Sequence, residues 1–355
     1  MSSSGSRAPL RRAARRRRVR RRRAGAVAVL LGAALVTALL ALAAPSGSRH
    51  RRTAAESASA PAGARSSSLP TGTTRVRVSA VGRLPAPVQD AAAASSGAEG
   101  ALLLGGLDQA DVSVDTIVQL RGLRSHQTGT LPAAVHDAAA CAVGGQVYLF
   151  GGGDRTQSAA ITAVSADGQA RAAGSLPAPA SDLAAATIAG TVYIVGGYTG
   201  QAPLRTILAW RPGQASARVV GALPKPLRYA AVAAQAGAII VAGGSTGLQA
   251  STDVYRFDPR SGSVSMLARL PHPLTHAAAA SLGATVFIVG GRGADPNSQT
   301  AQILAIGPQG TVRSVGLLPQ PLSDLAAATV GQRIVLAGGR DPRGGVHDAL
   351  LTLTP

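Results

Sequence analysis

Two apolar runs of strand length alternate along this chain with polar, Gly- and Pro-rich stretches, and the pattern is written six times. The first run of each copy is dominated by alanine: DAAAASS, DAAACAV, DLAAATI, YAAVAAQ, HAAAASL and DLAAATV. The second is aliphatic and β-branched: ALLLGG, VYLFGG, VYIVGG, IIVAGG, VFIVGG and IVLAGG. Two such runs joined by a short turn predict a hairpin. Two weaker strand patterns follow, for example STDVYRFDP (Ser251–Pro259) and GSVSMLARL (Gly262–Leu270). Each copy opens on a Leu-Pro pair, at Leu84, Leu131, Leu176, Leu223, Leu270 and Leu318, at intervals of 47, 45, 47, 47 and 48 residues. Four antiparallel strands in that period make one propeller blade. The alanine runs are expected innermost, where blades converge and only small side chains fit, with the bulkier second runs packed between neighbouring blades.

A Gly-Gly doublet closing runs such as VYIVGG and VFIVGG, at this period, resembles the kelch family. The resemblance covers Thr73 to Pro355 and implies an all-β, six-bladed propeller of four-stranded antiparallel blades. Kelch repeats usually carry a Tyr in the third strand and a Trp in the fourth. Here one copy shows a clear third-strand Tyr, Tyr255, and the lone Trp210 ends a third strand. The last copy stops at ALLTLTP, after its third strand, while TRVRVSAVGRLP (Thr74–Pro85) matches the fourth-strand segment GTVRSVGLLP (Gly310–Pro319). The strand 74–81 is therefore expected to complete the last blade and remove the exposed edge.

Charge changes the picture only at one end. The net charge is +19, but residues 1–52 hold fourteen arginines and no acid, and the stretch from Thr73 onward carries only five of the positive charges. Nucleic acid is not an expected partner, because the basic excess belongs to a tail. Residues 24–44 contain no charge over 21 positions, about 31 Å if helical. They read as a transmembrane helix or uncleaved signal anchor, with the Arg-rich tail 1–23 cytoplasmic and the propeller extracytoplasmic on a single-pass cell-membrane protein. The alternative is secretion after signal cleavage near Ala43, at an A-x-A site. Residues 45–72 are Ser-, Ala-, Gly- and Pro-rich and read as a flexible linker before the propeller, 73–355.

One position stands out for chemistry, six residues after each Leu: Asp90, Asp137, Asp182, Tyr229, His276 and Asp324. Each begins an inner strand, so all six are expected to ring one mouth of the channel, on the face formed by the loops into each blade and the loops between second and third strands. Either their side chains hold the entry turns by accepting hydrogen bonds from turn amides, or they orient a ligand at the mouth. Arg155, Arg292 and Arg340, shortly after the Gly pairs, would pair with these carboxylates or meet an anionic ligand.

Other chemistries find little support. Asp108, Asp111 and Asp115 loosely resemble spaced calcium ligands but lack the D-x-D-x-D-G frame and the closing Glu. The six histidines show no ligand spacing, and Cys141, the only cysteine, is expected to be a small buried residue. No cofactor, metal or nucleotide is expected; the glycines of GGRGADPNS end a strand and open no helix. Among kelch relatives, galactose oxidase-like copper enzymes need two tyrosines, two histidines and a cysteine crosslinked to a tyrosine, and Cys141 on an inner strand with five Tyr in all speaks against that site. A sialic-acid mutarotase-like enzyme would place acid/base work on Asp137, Asp182, His276 and Arg292. The leading expectation is a non-enzymatic scaffold that binds a protein or cell-envelope carbohydrate on the face of the Asp ring.

Overall fold

A computed structural model describes residues 75–122 and 124–355. The tail 1–23, the apolar run 24–44 and the linker 45–72 lie outside them. Among the described residues there is no helix long and apolar enough to cross a membrane.

Among the described residues, twenty-four strands form six antiparallel sheets of four. The inner strands are Ala92–Ser95, Ala139–Val143, Ala184–Ile188, Ala231–Gln235, Ala278–Leu282 and Ala326–Val330. Each touches the inner strand on either side, the last returning to the first, so the sheets close into a propeller. Their alternate alanines, such as Ala231, Ala233, Ala278 and Ala280, are buried. The second strands carry the larger payload: Leu102, Ile194, Ile239 and Ile288 are all at most 1% exposed. The apolar clusters straddle blades. One joins Ile207 and Val195 of blade 3 to Leu227, Val241 and Phe257 of blade 4. In another, Trp210 of blade 3 meets Tyr148 and Phe150 of blade 2 edge-on, at 4.9 and 5.6 Å between ring centroids. A blade therefore has no private core, and its stability is a property of its two interfaces.

The recurring residues are the parts of a clasp. Each Leu of the Leu-Pro pairs is at most 5% exposed. Four residues on, the carbonyls of Val88, Val135, Ala180, Leu227, Leu274 and Leu322 accept a hydrogen bond of 2.8–2.9 Å from the second glycine of the preceding blade's pair. The first glycine lets that carbonyl approach: a Cβ on Gly196 would lie 2.3 Å from the Leu227 oxygen, and one on Gly338 2.2 Å from that of Val88. A side chain larger than hydrogen cannot stand there. Gly-Gly thus binds one blade to the next.

The ring closes between the chain's two ends. The fourth strand of blade 6 is Arg77–Arg83, paired antiparallel with Ala349–Thr354 from Arg77 opposite Thr354 to Arg83 opposite Ala349. It lies slightly C-terminal to the expected 74–81. A bulge between Ala80 and Gly82 shifts the register there. Val76 and Val78 pack on the cluster containing Leu351 and Leu353.

Candidate functional site

All six ring residues have positive φ, from 53° at Tyr229 to 60° at Asp324. The left-handed region is open to Asp and Asn more than to other side chains, which fits four aspartates here; Tyr and His occupy it at greater cost. The conformation turns each backbone N–H along the circle. Asp137 donates to the Asp90 carbonyl (3.1 Å), Asp182 to Asp137 (2.8 Å), Tyr229 to Asp182 (3.0 Å), His276 to Tyr229 (3.2 Å), Asp324 to His276 (3.0 Å) and Asp90 to Asp324 (3.0 Å). Six blades are laced by one closed belt of main-chain hydrogen bonds. The entry turns are therefore held by backbone and not, as in the turn-holding reading, by aspartate side chains accepting from turn amides. The side chains are left to the mouth, where they line a cavity of about 140 Å³.

There the carboxyls crowd one another. Burial, then the carboxyls of Asp324 and Asp137, raise Asp90 well above the usual carboxylate range. Burial, then Asp182 and Asp324, do the same to Asp137, against a hydrogen bond from Tyr229. Asp182 and Asp324 are also raised by burial, opposed chiefly by Arg228 in the first case and by the Ser323 hydroxyl in the second. Tyr229 donates its hydroxyl to Asp137 at 3.0 Å and receives one from Arg228 at 3.0 Å. Arg228 is ion-paired with Asp182, whose side chain is 2% exposed, and lies over the rings of Tyr198 and Tyr229. One guanidinium thus ties blade 4 to blade 3.

Tyr229 and His276 stack with centroids 3.6 Å apart. Arg292 reaches His276 Nε2 at 3.1 Å, and Nδ1 lies 3.1 Å from Thr275 Oγ1. Arginine can only donate, so Nε2 accepts, Nδ1 carries the proton, and the imidazole is neutral. Burial, with Arg292 and Arg228 adding repulsion, holds its pKa well below the ordinary histidine value.

The arginines singled out by sequence separate. Arg292 and Arg340 follow the Gly pairs directly and bridge to Thr275 and Ser323, one residue before the ring; both favour the ionised form of Asp324. Arg155 stands two positions further along, because Gly153 takes the equivalent place opposite His136. It is exposed and lines a separate cleft of about 390 Å³ with Asp154 and Gln157. A second polar circle escaped the sequence reading: Gln89, His136, Ser181, Arg228, Thr275 and Ser323, each just before a ring residue. Its signal was present, since five residues after every Leu the chain is polar.

Elsewhere the chemistry is structural. Asp108 Oδ1 accepts from the backbone amides of Ala110 and Val112 within its own loop, and Asp111 Oδ1 accepts from the Gln89 side-chain amide, which ties that loop to the entry turn before Asp90. Among the described residues no group of three His, Cys, Asp or Glu could hold a metal ion. Cys141 is buried, and burial pushes its thiol up to about 12, far from a nucleophile's range.

A propeller with a self-laced polar mouth is the class that fold and site define. A Kelch motif family model matches residues 226–271, the fourth blade. That blade carries Tyr255, whose hydroxyl donates to Asp253 at 2.9 Å. Six blades on this repeat, with the Kelch motif in the fourth, make the chain a kelch-repeat propeller. No curated protein sequence matches it.

Proposed function

We propose that this propeller is a membrane-anchored, extracytoplasmic binding module that holds a protein or a cell-envelope carbohydrate on the face of the mouth. Kelch propellers commonly serve as protein-binding scaffolds. The observation that carries the reading is the contrast on that face. The mouth cavity, about 140 Å³, is well under the roughly 300–1,000 Å³ of pockets that enclose a small molecule. The loops around it expose apolar side chains without internal use: Leu248 is 91% exposed and Val112 57%. Loops carried on a rigid frame are the usual place for recognition.

The test is capture from envelope extracts by the full-length chain, with Leu248→Asp and Val112→Asp as loop variants. Retained capture by the double variant would sink the reading. The second reading, a sugar-active enzyme of the sialic-acid mutarotase type, draws on the raised carboxyls of Asp137 and Asp182, which favour a general acid. Anomer exchange of N-acetylneuraminic acid, followed by NMR, decides it: a rate above background that falls in Asp137→Asn would favour the enzyme.

A further inference from the structure

Arg228, Ser245, Thr275 and Arg292 follow one another where blade 4 meets blade 5. Paired main-chain hydrogen bonds hold Arg228 to Ser245 (2.9 and 2.8 Å) and Thr275 to Arg292 (2.8 and 2.9 Å). The clasp from the Gly244 N–H to the Leu274 carbonyl, 2.9 Å, joins the two pairs across the seam. A cleft of about 250 Å³ opens here, lined by all four residues and by Leu248, and no acidic residue lines it. Backbone fixes its walls, so the groups that line it are placed before any ligand arrives.

The guanidiniums keep donors to spare. Arginine carries five N–H groups and no acceptor. Arg228 spends Nη2 on the Tyr229 hydroxyl at 3.0 Å and on the Asp182 carboxylate, and its Nη1 has no partner among the described residues. Its side chain is 23% exposed and so within reach of solvent. Arg292 gives Nη2 to His276 Nε2 at 3.1 Å and Nη1 to the Gly293 carbonyl at a long 3.5 Å. It makes no ion pair among the described residues. Asp182 therefore balances Arg228, while the charge of Arg292 is left over at the seam. The Ser245 hydroxyl accepts from the Gly247 N–H at 3.0 Å and donates to nothing among the described residues. Thr275 has already given its proton to the Tyr229 carbonyl, at 3.4 Å.

Two arginines do not by themselves open such a site. Arg292 and Arg340 stand on either side of the next seam, but there the Gln299 side-chain amide sits on the Ser323 hydroxyl at 3.3 Å, and Ser323 is 0% exposed.

We propose that the seam between blades 4 and 5 binds a phosphoryl group between Arg228 and Arg292, with the Ser245 hydroxyl as a third donor. A carboxylate has two oxygens in one plane, and the fork of one guanidinium satisfies it. Donors from three separate segments of chain match a tetrahedral group instead, whose oxygens point in several directions, and the guanidinium is well suited to phosphate. At about 250 Å³ the cleft is below the roughly 300 Å³ at which pockets begin to enclose a whole small molecule. Anything esterified to the group lies outside it, over Leu248, which is 91% exposed.

This rests on the reading that the mouth face is a binding surface, and it names the chemistry of the group held there. The full-length chain is titrated by calorimetry at low salt with inorganic phosphate, glycerol 1-phosphate and acetate. Both phosphates should bind, more weakly as salt rises, and acetate about tenfold more weakly than either. Arg292→Gln should weaken glycerol 1-phosphate by about tenfold or more and Ser245→Ala by less, with melting curves showing both variants folded. Arg155→Gln, in a separate cleft, should leave binding unchanged. Tighter binding of glycerol 1-phosphate than of inorganic phosphate identifies an esterified ligand; the opposite order, or equality, identifies free phosphate. Binding of neither phosphate, acetate binding as tightly, Arg292→Gln without loss, or an equal loss in Arg155→Gln overturns the proposal. If neither phosphate binds while the Leu248→Asp, Val112→Asp variant still loses envelope capture, the phosphoryl site falls and the binding face stands. If phosphate binds and capture is indifferent to those loop changes, the reverse holds.

Discussion

The Asp90 N–H donates to the Asp324 carbonyl at 3.0 Å, across 234 residues of sequence, and that bond closes the belt around the channel. It joins blade 1 to blade 6 at the axis, as the pairing of Arg77–Arg83 with Ala349–Thr354 joins the chain's ends at the rim. The geometry depends on left-handed backbone at both residues, φ 54° and 60°. Fold and mouth therefore share one constraint: the residue that laces the blades is the residue whose side chain faces the cavity.

Backbone and carboxyl at Asp90 are separable by substitution. Asparagine keeps the left-handed preference and removes the charge; valine keeps neither, at a cost of ~1–2 kcal/mol from backbone strain alone. The folded-state pKa of Asp90 is raised, so its contribution to stability is fully present below the unfolded value near 3.8 and is lost as pH rises through the folded value. Asp90→Asn is thus expected to melt above the wild type at pH 7.5, with the gap closing as pH falls toward 3.8. Asp90→Val should melt below the wild type at pH 7.5. Thermal melts at intervals from pH 4 to 8 check both, and an Asn variant less stable than wild type at pH 7.5 would refute the crowding.

His276 gives the opposite slope. Its folded pKa is depressed, so its stabilisation is present above the unfolded value of 6.5 and is lost as pH falls below it toward the folded value. It touches Arg292, Tyr229 and Thr275, with Arg228 close by, and shares the mouth with the carboxyls of Asp324, Asp90, Asp137 and Asp182. His276→Asn retains an αL-tolerant side chain and cannot ionise. Relative to wild type it should gain stability progressively from pH 6.5 downward; parallel melting curves for the two proteins would contradict a buried, neutral imidazole.

How far this site was legible in the sequence depends on what each residue does. Spacing from the Leu-Pro pairs placed all six ring positions, because one blade repeats the same turn. It does not reveal φ, so the pattern leaves open whether the aspartate side chains hold the entry turns or face a ligand, whereas main-chain hydrogen bonds lace the turns. The Asp preference for αL was a usable signal at Asp90, Asp137, Asp182 and Asp324. Tyr229 and His276 hid it. The ion pair of Arg228 with Asp182 links residues 46 apart in sequence and no periodicity announces it. Arg155 was misplaced by counting from a Gly pair that a third glycine, Gly153, extends. The closing strand was legible as a missing fourth pattern, displaced by a few residues because pairing is set by register with Ala349–Thr354 and not by the apolar pattern alone.

The inter-blade clasp makes a prediction that a general intolerance of glycine replacement does not. Gly196 (φ 63°) and Gly190 (φ 74°) are both left-handed and sit at opposite ends of one strand. A Cβ on Gly190 meets nothing within 4 Å, whereas one on Gly196 meets the Leu227 carbonyl oxygen at 2.3 Å. Gly190→Ala should cost only the backbone strain, ~1–2 kcal/mol. Gly196→Ala must also push blade 4 away and is expected to cost above about 3 kcal/mol. Denaturant titrations giving the two variants equal midpoints would show that the carbonyl approach is not what the doublet protects.

Ring closure at the rim can be tested against a control that shares its location. Arg83 and Asp348 form an ion pair at 3.0 Å across the closing strands, with the arginine side chain 80% exposed; exposed pairs of this kind contribute about 0–1 kcal/mol. Arg83→Ala should therefore leave the melting temperature within a degree or two of wild type. Deleting residues 77–83 removes every main-chain partner of the strand Ala349–Thr354 on that side. It also strips Val78 from over Leu351 and Leu353, which are 4% and 0% exposed. Blade 6 then ends in an open, apolar edge, the arrangement that β-proteins avoid because it recruits other chains. The deletion is expected to destabilise the propeller by several times the effect of Arg83→Ala and to produce concentration-dependent association in sedimentation velocity. A monodisperse deletion protein with unchanged melting would mean that the belt at the axis closes the ring without the strand at the rim.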